Sequence, residues 1–271
     1  MHADLQIPFE KGKTVSCAVN SPAGKSSNIG IILAHGAGGD MHSGNLPKFA
    51  EAFAGAGFVC LRFTCKPTQL AYRVRACQAV IDGAASSNHE PLESVTHWIF
   101  AGHSMGARVA SAMAAASPDR ALACILFSYP LHTPGNQDSL RDVPLVDLTL
   151  PIMFVHGSKD TMCEAGIFQA VRGRMSSSDL QVHEVADGDH GLKIHAGKNS
   201  KSLTEAALQK VSSAMCDFAN GIEAPLVSKA GDKVESSRRQ LPSKTKPGKP
   251  EVGNKRIAPA TNQTRSKKAK P

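Results

Sequence analysis

The chain has 271 residues, 41% of them hydrophobic, enough for one sizeable domain with a packed core and an extension. No run of 18 or more apolar residues occurs, so no membrane-spanning helix is expected. The net charge of +8 is uneven: residues 229–271 hold 13 Lys+Arg against 3 Asp+Glu, net +10, and the rest holds 18 against 20, net −2.

Residues 1–13 mix acidic and basic side chains without an apolar core, so no secretory signal peptide is expected. Seven cysteines lie mostly inside apolar patterns, and their number is odd. They read as reduced, buried thiols of a cytoplasmic or nuclear protein. No Cys-x-x-Cys pair or zinc-type Cys/His spacing is present, and neither metal nor cofactor is expected.

Residues 13–20 alternate as a half-exposed strand, and 21–24 form a turn. Gly24-Lys25-Ser26 resembles the end of a phosphate-binding loop, but Val19 stands where that loop needs glycine. Residues 29–34 are continuously apolar, as in a central parallel strand. They end in His35-Gly36-Ala37-Gly38-Gly39-Asp40, where a glycine-rich turn can bring backbone amides to a ligand. Asp40, Met41 and His42 are expected on the same rim, with His35 bracing the loop.

Residues 46–56 have helical spacing, and Gly55-x-Gly57 closes that helix. Residues 58–63 are the next strand, 69–85 a long amphipathic helix, and 86–93 a polar connector. The strand at 97–100 runs into Gly102-His103-Ser104-Met105-Gly106, followed by a helix of small residues over 107–116. Gly-x-Ser-x-Gly between strand and helix is the pattern of a nucleophile elbow. By chance it occurs in roughly one chain in ten of this length, so the rest of the chain must support it.

Further strands are expected at 121–127, 151–155 and 180–185, with helices at 164–175 and 203–219. The proline-containing stretch 128–148 reads as a short cap beside the site. Alternating strands and helices predict an α/β domain over 1–225 with a mainly parallel sheet. Residues 226–271 are rich in Pro, Lys, Ser and Gly and are expected to be a disordered basic tail.

Ser104, Asp160 and His190 each follow a predicted strand, in the order Ser, Asp, His. A base must reach the serine hydroxyl and an acid must orient that base, and loops on one sheet edge can supply both. The backbone amides of Met105 and Ala37, with Gly38 as second choice to Ala37, are the expected oxyanion donors. Asp160 could instead cap the helix after it, and Asp187 and Asp189 are weaker candidates for the acid.

Gly-His-Ser-Met-Gly, His-Gly-Ala-Gly-Gly-Asp, His-Gly-Ser-Lys-Asp and Gly-Asp-His together resemble an α/β-hydrolase of the dienelactone-hydrolase-like type. Leu61-Arg62-Phe63-Thr64-Cys65-Lys66, with Tyr72-Arg73, is similar to the testis-expressed protein 30 family. That family is related to regulatory subunit 3 of the non-specific-lethal complex, a nuclear histone acetyltransferase. The resemblance spans about residues 5–220 and implies a triad of Ser104, Asp160 and His190, but no substrate.

Two functions follow as expectations. One is a serine hydrolase acting on a small ester, thioester or amide. The other is a binding or scaffold protein, chromatin-associated or otherwise nuclear, that keeps the fold. Arg238-Arg239, Lys255-Arg256 and Arg265-Ser266-Lys267-Lys268 are basic clusters suited to nuclear import or nucleic-acid contact.

Overall fold

A computed structural model describes residues 1–223. The expected disorder and the basic clusters of the tail lie outside the described residues.

Eight strands build one sheet: β1 (His2–Phe9), β2 (Lys13–Asn20), β3 (Ile29–Ala34), β4 (Val59–Phe63), β5 (His97–His103), β6 (Ala121–Phe127), β7 (Ile152–Gly157) and β8 (Leu180–Val185). Their order is β1-β2-β4-β3-β5-β6-β7-β8. The pairs β1/β2 and β2/β4 are antiparallel, and every pair from β4 to β8 is parallel. β3, β4 and β7 are buried at every position. That burial accounts for the unbroken apolar run of β3 and for the mainly apolar β4 and β7, which carry buried Arg62 and His156, since helices cover both faces of such a sheet.

The helices are α1 (Leu46–Gly55), α2 (Leu70–Ala85), α3 (Glu90–Glu93), α4 (Met105–Ala116), α5 (Val143–Val146), α6 (Ala165–Arg172) and α7 (Ser200–Asn220). Alternate strand residues point to opposite faces. Ile31 and Leu33 of β3 therefore join Phe49 and Phe53 of α1 and Val211 and Met215 of α7 in one core layer. Ile32 and Ala34 face the other layer, with Val80 of α2, Val109 of α4 and Phe168 of α6. Phe49 stacks on Phe127 with centroids 4.7 Å apart, adding about 1 kcal/mol to their area burial.

Two expectations change. The first strand was not foreseen. β1 is an edge strand that buries only Ile7 fully and carries Pro8, so its apolar signal is faint. The 128–148 stretch folds down onto the body through buried Tyr129, Leu131, His132 and Leu145, and contributes none of the residues lining the cavity beside Ser104.

Candidate active site

The parallel strands end on one edge of the sheet, and the loops leaving them meet there. β5 turns into α4 at Ser104, which takes φ 54° and ψ −113°. This is an uncommon backbone state for a residue with a side chain, and it stands the hydroxyl clear of the sheet. The turn closes only because its flanking glycines lack side chains. A Cβ on Gly102 would sit 2.3 Å from the Gly106 carbonyl carbon, and one on Gly106 would sit 2.0 Å from the Ala34 carbonyl oxygen.

His190 lies in the loop after β8, with its ring between the other two side chains. Its Nε2 is 2.8 Å from Ser104 Oγ, and its Nδ1 is 2.8 Å from Asp160 Oδ2. A carboxylate only accepts, so Nδ1 carries the hydrogen and Nε2 accepts from the serine hydroxyl. Asp160 is buried in the loop after β7, and its other oxygen accepts the Met162 amide at 2.9 Å. The helix after it begins at Ala165, so Asp160 does not cap it.

Neither alternative acid reaches His190. Asp187 is exposed and pairs with Lys159 at 2.7 Å. Asp189 accepts from His195 Nε2 and from the amides of Gly191 and Lys193. Burial raises the Asp189 pKa, but these three bonds outweigh it and leave the carboxyl below its usual value.

The loop after β3 supplies the third component. Gly36 to Gly39 form a turn closed by the Gly39 amide on the Gly36 carbonyl, with φ +72° at Gly38, the geometry of a type II turn. The amides of Ala37 and Gly38 have no hydrogen-bond partner among the described residues. Met105, at the first position of α4, also has a free amide. Gly36 and Ala37 line the cavity with Ser104, and a Cβ on Gly36 would lie 3.6 Å from the Ser104 Cβ.

Further side chains hold this arrangement: His35 was expected to brace the loop, whereas His103, Arg62 and Arg73 were not foreseen in this role. His103 Nε2 is 3.1 Å from the His190 carbonyl oxygen and ties the elbow to the histidine loop. Burial pushes the His103 pKa below its ordinary value, so the ring is the neutral donor. His35 braces the loop, its Nδ1 donating to the Gly36 carbonyl at 2.7 Å and its Nε2 accepting the Cys65 amide at 2.9 Å. Burial also lowers the His35 pKa and keeps that ring neutral.

Arg62 donates to the Met41 carbonyl and to Asn20, and Thr64 Oγ1 accepts the Met41 amide. Arg73 donates to the carbonyls of Pro67, His35 and Gly36. The sequence did carry a signal for Arg62, a charged residue inside an otherwise apolar strand.

The cavity over Ser104 has a volume of about 620 Å³. Leu46, Phe49, Met162 and Leu192 give it apolar walls, and Asn45 and Lys193 add polar groups. The expected rim of Asp40, Met41 and His42 is displaced by Ser43, Gly44 and Asn45. Asp40 turns away to accept from Ser43 and from the His42 amide, and lies 3.6 Å from Lys66.

A parallel sheet with a serine elbow and its partners on one edge defines the α/β serine hydrolase-like class of fold. Residues 27–220 match the family described as alpha/beta hydrolase domain, and the chain belongs to that family. Among solved structures it is similar to an alpha-beta serine hydrolase homologue from Coxiella burnetii, at 17% identity and a TM-score of 0.61 over 80% of this chain and 96% of that one. It is similar to Est1E from Butyrivibrio proteoclasticus, at 17% identity and 0.60 over 78% and 98%. A third is a serine hydrolase without lid from Xanthomonas campestris, at 18% identity and 0.59 over 79% and 94%. At these identities the likeness is one of fold.

Proposed function

We propose that this protein is a serine hydrolase that cleaves a small ester, thioester or amide. Ser104 Oγ attacks the acyl carbon while His190 Nε2 takes its proton. Asp160 fixes the tautomer of the neutral ring and stabilises the imidazolium once it has formed. The amides of Ala37 and Met105 receive the oxyanion, each donor worth about 3 kcal/mol in the transition state. His190 then returns the proton to the leaving group, and water repeats the sequence on the acyl-enzyme. This chemistry calls for neither metal nor organic cofactor.

The observation that carries the reading is the unbroken relay Ser104–His190–Asp160, 2.8 Å at each step, opening into a cavity with free amides beside it. The cavity suits a small acyl group against Leu46, Phe49 and Leu192. Within the family, the 61–66 stretch and Tyr72-Arg73 favour the testis-expressed protein 30 group. We assign the basic residues 229–271 to nuclear import or nucleic-acid contact, which implies a protein shared between cytoplasm and nucleus.

The test is labelling by a fluorophosphonate probe, which needs an activated and reachable serine but no guess at a substrate. Wild type is expected to label, and Ser104→Ala is expected to lose the label while keeping its melting temperature. Folded wild type that fails to label would favour the scaffold reading instead.

A further inference from the structure

Arg73 is one of the largest fully buried side chains, at 2% exposure, and has no carboxylate partner among the described residues. Its helix does not help, since it sits in the first turns of α2, where the dipole disfavours a cation. Burying a guanidinium this way costs stability unless every donor is used. Its donors go to three backbone oxygens: Nε to Pro67 at 2.7 Å, Nη1 to His35 at 2.9 Å, and Nη1 and Nη2 to Gly36 at 3.4 Å.

The Gly36 oxygen belongs to the same peptide unit as the Ala37 amide. That peptide is trans, so its N–H points opposite to its C=O. Arg73 and His35 draw the oxygen toward the interior from one side. The Ala37 hydrogen must then face the other way, on the side of the loop that lines the cavity with Ser104. A cation on the carbonyl also polarises the amide and makes its hydrogen a better donor.

We propose that Arg73 is a positioning residue for the oxyanion hole, holding the Gly36–Ala37 peptide in the orientation that presents the Ala37 amide to the reacting carbonyl. The assignment rests on Ser104 as the nucleophile. It selects Ala37 over Gly38, whose own peptide carbonyl has no such anchor. It also gives Arg73, of the Tyr72-Arg73 pair, a task 36 to 37 residues away in sequence.

The experiment compares wild type with Arg73→Gln and Arg73→Lys, with Arg75→Gln as control. Arg75 lies on the same helix, exposed and paired with Glu10. Active sites are titrated with the fluorophosphonate, then kcat and KM are measured on p-nitrophenyl butyrate and Ki on a trifluoromethyl ketone that forms the oxyanion. Arg73→Gln is expected to lose roughly 10- to 100-fold in kcat per titrated site, up to the range for removing one oxyanion donor. KM should stay within about twofold and Ki should rise by a similar factor, with Arg73→Lys losing less and Arg75→Gln unchanged.

An unchanged kcat per site in either folded variant, or a loss carried by KM alone, overturns the proposal. If Arg73→Gln does not fold, the lysine variant carries the same test. If wild type does not label, the hydrolase reading fails separately. The crystal structure of the variant then decides: a turned Gly36–Ala37 peptide upholds the role of Arg73, and an unmoved one overturns it.

Discussion

Ser104 is one of five described residues other than glycine with positive φ, and Ser128, Asp187 and Leu192 share the same end of the sheet with it. Each such residue costs of order 1–3 kcal/mol, and that strain persists only where surrounding contacts overdetermine it. His103 supplies one of those contacts. Burial lowers its pKa, the bond to the His190 carbonyl partly opposes this, the His190 ring adds to it, and Asp160 and Asp189 oppose it. The folded value therefore lies below the unfolded one of about 6.5. The unfolded chain takes the proton first, so stability is full above that value and falls as pH drops toward the folded one. His35 acts in the same direction. Each group can contribute at most about 1.4 kcal/mol per pH unit. His103→Gln keeps an N–H donor but does not titrate, so its melting temperature should fall less steeply between pH 7.5 and 5. Parallel melting curves for the two proteins would reject this role for His103.

At the scale of elements, the site depends on how closely α4 approaches β3. A Cβ on Gly106 would meet the oxygen and carbon of Ala34 at 2.0 and 2.5 Å and the oxygen of His35 at 2.9 Å. These are backbone atoms of a central strand and of the loop that carries Ala37, and they cannot yield cheaply. Gly106→Ala should push α4 outward, cost more than about 3 kcal/mol, and abolish fluorophosphonate labelling. Gly55→Ala, with nothing within 4 Å, should leave stability unchanged or raise it by up to about 1 kcal/mol. Thermal melts of the two variants check the contrast, and equal melting temperatures would contradict it. The close approach was legible in the sequence because Gly-x-Ser-x-Gly lies between an apolar strand and a helix. The central parallel strands β3 and β6 were legible because burial on both faces writes them as continuous apolar runs, and β8 was legible by its alternation at the sheet edge. β1 was not, because an edge strand half in water carries little pattern. Nor were the partners of Arg73 and His103, whose bonds reach 38 and 87 residues along the chain. Their bonds exist only once the sheet has brought the loops together.

Over the whole molecule, charge separates along the chain: net −2 before residue 229 and net +10 from there to the end. No acidic or basic bias in the body points to a polyanion, and the cavity is walled mainly by apolar and small polar groups. On the proposed reading, contact with nucleic acid or an import receptor would fall to residues 229–271, and acyl chemistry to the body. The two functions should come apart on truncation. A chain ending at residue 228 is expected to keep its fluorophosphonate labelling and melting temperature, while a fluorescent fusion of it shifts from nucleus to cytoplasm. Any affinity of the full chain for DNA should fall steeply with salt, as counterion release by 13 basic residues requires, and vanish in the truncated chain. An unchanged cellular distribution would refute the import role, and DNA binding that survives truncation would move the contact onto the body.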